Sequence, residues 1–323
     1  MKIIKGVLCA LVILVLLLGV FRAPEAYQET TYYFDTVITL TVYGEGREAA
    51  TEAAIARIGE LDRLMNAHAE GSELAKINRA PAGTPTEVSE EVFTVISRAL
   101  FFSKLTDGVF DITLKPVSDL WGIGTEHARV PAEEEIRAAL LSTGWESVGL
   151  SEDDYTVTLE KEGMALDLGA IAKGYAADEA ARVLKEHGIE NACLDLGGNI
   201  VVMGEKPVGF WETITSGKSS RPFVVGIQKP DAPRGSIAKE LTVSDCAVVS
   251  SGDYERYFEE DGVRYHHIFD AKTGMPAKSK VKSATVVAKN AMDADALSTV
   301  FFILGDEAEG KWREYYEEVL FER

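Results

Sequence analysis

The sequence predicts one mixed α+β unit over residues 27–323, behind an apolar N-terminal segment of residues 1–26. Two features predict it. Alternating β-branched runs and stretches with apolar residues at helical spacing follow one another from Thr30 to Leu304, as expected when sheet and helix layers share a core. No repeat, low-complexity tract or linker divides that interval, so the 46% hydrophobic residues of this 323-residue chain serve one large core.

At the N-terminus, Lys2 and Lys5 precede an unbroken apolar run, Gly6–Phe21. This reads as a secretory signal or an uncleaved membrane anchor. The run falls short of the ~20 residues of a full span unless Ile3 and Ile4 join it while Lys5 snorkels. Positive charge ahead of the run puts the rest of the chain outside the cytoplasm, anchored, or secreted if the small-residue site Ala23–Ala26 is cleaved.

Thr30–Tyr43 alternates and is β-branched, predicting a strand. Arg47–Met65 places Ala54, Ile55, Ile58, Leu61, Leu64 and Met65 at helical spacing. Gly71–Ser72 caps a short helix, and Ser89–Thr106 is a second long one, opened by a capping-box-like Ser-Glu-Glu-Val. Thr106–Gly124 is rich in Gly, Pro and aromatics, predicting a structured loop with a short strand against a ligand or a Trp-anchored packing loop. Pro131–Leu141 reads as a helix and Tyr155–Leu166 as paired strands around Lys161–Gly163. Further strands are expected before the double glycine Gly197–Gly198, over Phe223–Gln228, over Leu241–Ser251 and over Lys282–Ala288. A hairpin turns at Asp261–Gly262, and Ala291–Leu304 is a helix ended by Gly305.

The net charge of −19 argues against nucleic acid or an anionic membrane surface as partner. An anionic ligand would need a divalent cation, for which carboxylates supply oxygen. Cys193 and Cys246 could pair outside the cytoplasm, but both lie in apolar, strand-like text and read better as buried free thiols.

Leu166–Asp178, LDLGAIAKGYAAD, holds the strongest local signal. An apolar run reaches Asp167, turns on Gly169 and opens a helix containing Lys173 and Gly174. A strand–turn–helix of this kind aims backbone N–H groups and a partial positive charge outward, where phosphate oxygens can sit. It also reads as a plain join with an N-capping Asp. Asp295 and Thr299 stand four apart on the last long helix and so share a face. A carboxylate and a hydroxyl so placed offer two hard ligands to Mg²⁺. Spacing alone also reads Asp295 as a solvated first-turn carboxylate; the apolar residues around it favour burial and a partner. His266 and His267 alternate in a strand-like run, one inward and one outward. HExxH, CxxC, GxSxG and Walker A motifs are absent from the sequence.

Eight segments then carry a resemblance. They are DTVITLTVYG (Asp35–Gly44), GSELAKIN, TDGVFDITLKPVSDLWGIG, DLGAIAKGYAAD, DLGGN, SSGDYERYF, YHHIFDAKTG and AMDADALST. In that order they resemble the ApbE family of FAD:protein FMN transferases. The resemblance implies a T-fold-like domain that transfers FMN from FAD to a Thr or Ser of an exported target protein, with Mg²⁺. It implies metal ligation by the Ala170 carbonyl, Asp295 and Thr299, and deprotonation of the acceptor hydroxyl by His267. FAD contacts fall on Phe34, His68, Val109, Phe110, Asp111, Asp167, Lys173 and Ile268. Phe34 replaces a usual methionine and His68 a common tyrosine. The same residues also fit a Mg²⁺-dependent FAD pyrophosphatase giving FMN and AMP, or a membrane-tethered flavin-binding protein without catalysis.

Overall fold

The computed structural model describes residues 24–323. The leader expected over residues 1–26 lies outside the described residues except for its last three. Among the described residues no helix is long and apolar enough to cross a membrane.

The strand expected over Thr30–Tyr43 is instead a hairpin of β1 (Tyr27–Tyr33) and β2 (Thr36–Tyr43). Its turn residues, Phe34 and Asp35, both hold positive φ, 51° and 54°. Left-handed backbone at a non-glycine residue costs roughly 1–2 kcal/mol. The Phe34 N–H donates to the Asp62 carboxylate at 3.0 Å, which holds the turn against helix α1 (Arg47–Met65). A short helix, α2 (Glu73–Arg79), follows, capped by Ser72. Beyond it come β3 (Thr86–Glu87) and α3 (Glu90–Leu105), whose N-cap is Ser89.

Within Thr106–Gly124 the expected short strand is absent; the ordered piece is a helix, α4 (Lys115–Trp121). Pro116 suits the first helical turn, where its missing N–H costs nothing, so proline here starts a helix. Trp121 is fully buried among Val117, Ile136 and Phe269 and donates from Nε1 to the Gly274 carbonyl at 2.9 Å. Helix α5 (Glu133–Leu141) packs beside it. Residues 155–166 do not form the expected paired strands. Only β5 (Thr156–Leu159) is a strand, and it pairs with β3 and with β4 (Val148–Ser151) in a three-stranded side sheet. Residues 164–167, expected to end a strand, lie outside any sheet, pinned by Asn78 to Leu166 and by Ile112 to Asp167.

The main sheet has seven strands, all antiparallel. It joins β1 and β2 to β6 (Asn191–Leu196), β7 (Asn199–Met203), β12 (Cys246–Gly252), β15 (Ser283–Ala288) and β16 (Glu318–Glu322), in that spatial order. Between β7 and β12 lie two minor strands, β8 (Lys206–Pro207) and β9 (Ser220–Arg221), around helix α7 (Phe210–Ser216). A ribbon of β10 (Phe223–Gln228) and β11 (Ile237–Val243) follows. The strand expected over Leu241–Ser251 is broken by the turn Ser244–Asp245, where Asp245 takes φ 49°. The expected hairpin at Asp261–Gly262 is β13 (Tyr257–Glu260) and β14 (Val263–His266). Edge strand β16 has no counterpart among the sequence expectations.

Alternation along the strands sorts the core into two layers. Ile38, Leu40, Val42 and Val201 face the helix side, beneath α1, α6 (Ala172–Glu186) and α8 (Ala291–Leu304). Tyr43, Val202, Cys246 and Val248 face the other side, beneath Phe223, Val225 and Ile227 of the β10–β11 ribbon. Helix α8 fully buries Leu297, Val300, Phe301 and Phe302, each contributing about 1.5–3 kcal/mol. Cys193 and Cys246 flank Val202 from opposite sides in the strand register. Two strand spacings, about 9–10 Å, exceed the reach of a disulfide. Both are free thiols, pushed up to about 11 by burial.

Candidate functional site

The Phe34–Asp35 turn, the Gly197–Gly198 turn and the C-terminal end of β12 emerge at the same end of the main sheet. Together with the 106–118 segment, the start of α6 and one face of α8 they enclose a cavity of about 470 Å³, within the roughly 300–1,000 Å³ of small-molecule sites. Every residue given a role above lines it: Phe34, His68, Val109, Phe110, Asp111, Asp167, Ala170, Lys173, His267, Ile268, Asp295 and Thr299. Sequence reasoning gave no role to Asp62, Asn199, Ser251, Arg234 or Arg256, which also line it. Asn199 closes the DLGGN segment, where the double glycine is the only local signal.

Asp295 is 3% exposed. Burial raises its pKa, opposed by Lys173, the Gly174 amide and the Asn199 side chain. The Lys173 ammonium lies 3.8 Å from Oδ2 and donates to the Gly169 carbonyl at 2.7 Å. Gly174 N–H donates to Asp295 Oδ2 at 3.0 Å. In an unbroken helix that N–H would bond the carbonyl four residues back, at Ala170. With the N–H turned to Asp295, the Ala170 carbonyl accepts no backbone hydrogen bond among the described residues.

Helix α6 grips α8 at two further points. A Cβ on Gly174 would come within 2.3 Å of the Ala291 carbonyl oxygen, so only glycine allows the helices this close. Asp178 accepts from the Ala291 and Met292 amides at 2.8 and 2.9 Å. Asp293, on α8 but away from the cleft, takes a bidentate pair with Arg98 at 2.7 and 2.6 Å. These contacts fix where Asp295 and, one turn on, Thr299 present their oxygens; Thr299 Oγ1 lies 3.4 Å from Ser251 Oγ.

The two histidines divide as alternation predicts. His266 is buried, with Nε2 on the Ala277 carbonyl at 3.0 Å and its ring edge-on to Phe302. His267 lines the cleft, with Nδ1 3.1 Å from the Arg256 carbonyl. A carbonyl only accepts, so Nδ1 carries the proton and Nε2 keeps a lone pair. Burial pushes the His267 pKa down to about 4; the Arg256 carbonyl opposes this, while Arg256, His266 and Lys173 add to it.

Asp111 accepts from Thr113 N–H and Oγ1 at 2.8 and 2.7 Å and from Trp145 N–H at 3.3 Å. Burial nonetheless raises its pKa. Asp167 accepts the Gly169 N–H at 2.8 Å. His68 is an exposed residue at the rim, its N–H on Asn66 Oδ1 at 2.9 Å.

The sequence profile of the ApbE family matches residues 34–321. The chain belongs to the ApbE family. Among its relatives, the FAD:protein FMN transferase of Treponema pallidum is 36% identical over 290 residues, 87% of this chain and 79% of the relative. The crystal structure of the ApbE protein from Thermotoga maritima superposes with a TM-score of 0.80 at 34% identity, covering 92% of this chain and 94% of that one. The flavin transferase ApbE from Vibrio cholerae gives a TM-score of 0.78 at 27% identity, covering 93% and 97%.

The donors around Asp295 fit a hard divalent cation. Among the described residues no three His, Cys, Asp or Glu side chains cluster to hold a metal ion, so a soft or carboxylate-rich site is not what this ApbE cleft offers. It offers one buried carboxylate, one hydroxyl, one carbonyl without a backbone donor, and an unpartnered buried oxygen on Asn199. Such a mixed oxygen set suits Mg²⁺, which keeps several waters or substrate oxygens.

Proposed function

We propose that this protein is a magnesium-dependent FAD:protein FMN transferase, moving FMN from FAD to a Thr or Ser hydroxyl of a target protein and releasing AMP. One observation carries the reading: a neutral histidine with a bare Nε2 shares a cleft with buried Asp295, half-buried Thr299 and a freed loop carbonyl.

Apolar Phe34 and Ile268 suit the flavin ring, and the Val109–Asp111 segment suits the adenosine end. Lys173 and the exposed Arg234 and Arg256 put positive charge on the walls of an otherwise acidic protein, which favours an anionic dinucleotide. Bound at the Ala170 carbonyl, Asp295 and Thr299, Mg²⁺ would neutralise pyrophosphate charge and polarise the phosphorus. His267 Nε2 takes the proton from the incoming hydroxyl as its oxygen bonds the FMN-side phosphorus and the pyrophosphate P–O bond breaks. AMP carries off the bonding electron pair. The Arg256 carbonyl keeps the His267 ring in the tautomer this step needs. Phosphate charge beside the ring raises its pKa again once FAD is bound, making it a better base in the complex. The lysine-flanked leader supports placing this chemistry outside the cytoplasm, at a membrane or in secreted form.

The test is the full chain with FAD and Mg²⁺, with and without an acceptor domain. Transfer predicts an FMN-sized mass gain on the acceptor and stoichiometric AMP. Free FMN without acceptor would instead establish a pyrophosphatase. Tight FAD binding indifferent to Mg²⁺, with no AMP, would establish a binding protein. Asp295→Ala flavinylating at the wild-type rate without added metal would sink the assignment of the metal site.

A further inference from the structure

Among the described residues, four buried side-chain oxygens lack a hydrogen-bond partner: Asn199 Oδ1, Ser244 Oγ, Asp253 Oδ1 and Ser283 Oγ. Only Asn199 lines the cleft. It is 2% exposed and is the first residue of β7, directly after the Gly197–Gly198 turn, paired on one side with Leu196 and on the other with Val249. Strand alternation puts its side chain with Val201 on the helix face, beneath α6 and α8.

Helices α6 and α8 pack directly on β7, and Asn199 and Asp295 line the same cleft. Asn199 Oδ1 finds no protein donor. An unpaired carbonyl oxygen at this depth costs about 1–3 kcal/mol, and in native proteins such an atom points to a water or an ion outside the polypeptide. Apolar packing would not need asparagine here; valine or leucine would fill the strand position at no such cost.

We propose that Asn199 is a further oxygen donor of the cation site, its Oδ1 facing the divalent ion. This rests on the metal site of the proposed function and adds to it a contribution from the central sheet. The site then ties three separate parts of the chain to one ion: the loop before α6, helix α8 and the β6–β7 turn. A neutral amide oxygen lets the site add a ligand without a second negative charge beside Asp295.

The experiment titrates Mn²⁺ as the probe into the full chain, by calorimetry and electron paramagnetic resonance, with no FAD present. Asn199→Leu removes the orphan oxygen at nearly constant volume. It should melt at or above the wild-type temperature without metal, yet bind Mn²⁺ about 10-fold or more weakly, as loss of metal-site support does. Asn199→Asp keeps an oxygen in place and adds charge, so Mn²⁺ affinity should equal or exceed that of wild type. Asn199→Leu within twofold of wild type would overturn the proposal, and so would Asn199→Asp binding more weakly than wild type. Asp295→Asn separates the two readings. If it loses Mn²⁺ while Asn199→Leu does not, only this inference falls. If wild type fails to bind Mn²⁺, or Asp295→Asn binds it equally, the metal site falls with it.

Discussion

Gly174→Ala is the sharpest probe of how the fold serves the site. The added Cβ would sit 2.3 Å from the Ala291 carbonyl oxygen, 2.6 Å from its carbon and 2.7 Å from Met292 Cα. All three are backbone atoms, so no side chain can swing away. Ordinary contact requires α8 to retreat from α6 by roughly 1 Å, and overpacking of this kind costs about 1–3 kcal/mol. The same retreat stretches the 3.0 Å bond from Gly174 N–H to Asp295 and carries Asp295 away from the Ala170 carbonyl. Misplacing a reacting group by about 1 Å costs on the order of 100-fold in rate. We therefore expect a melting temperature lower by several degrees, at about 2–4 °C per kcal/mol. Transfer should fall far more than that stability loss explains at 25 °C. The assay pairs thermal denaturation with AMP release. A variant that melts within 1 °C of wild type and keeps its turnover would refute the claim that α6–α8 contact sets the position of Asp295.

Three further outcomes follow from the same geometry. His267 is free base down to pH about 4 in the unliganded protein, so kcat/KM should fall only below that pH while kcat falls at a higher one. Pre-steady-state and steady-state pH profiles check this, and a kcat/KM limb near the ordinary 6.5 would refute it. Arg98→Ala leaves Asp293, whose side chain is 7% exposed, without its bidentate partner; chemical denaturation should show a loss of about 3–5 kcal/mol. Asp178 has its pKa raised to about 6 by burial, so the folded protein holds this proton where the unfolded chain has lost it. Its contribution to stability is fully present below the unfolded value of 3.8 and is lost as pH rises through about 6. Relative to Asp178→Asn, wild type should thus gain stability from pH 7 down to pH 4. A flat difference in denaturation free energy would contradict this.

The helices were the legible part of the fold because their period runs long: Arg47–Met65, Glu90–Leu105 and Ala291–Leu304 lie where apolar spacing and caps put them. Turns without a marker residue were not legible. Phe34–Asp35 folds back because a carboxylate 28 residues away takes the Phe34 N–H, and nothing local announces that. Pro116 misled in the other direction, since proline in a first helical turn looks like loop text until the helix is seen. The residues that meet in the cleft could be named from motifs, but the forces between them could not. The bonds from Gly174 to Asp295 and from Asp178 to Ala291 span 121 and 113 residues. Asn199 could be seen only as the tail of a glycine turn until its oxygen proved to be orphaned.

An antiparallel sheet has two ends, and in this molecule they have different freedoms. The turns at Phe34–Asp35 and Gly197–Gly198 abut so closely that a Cβ on Gly197 would meet Thr36 Oγ1 at 2.1 Å; lengthening either would prise open the cleft. At the far end, the exposed Gly44–Gly46 link between β2 and α1 is open, and a Cβ on Gly46 would touch nothing within 4 Å. An epitope, a fluorophore or a tether to an acceptor domain spliced in there would report on the protein without disturbing its working rim.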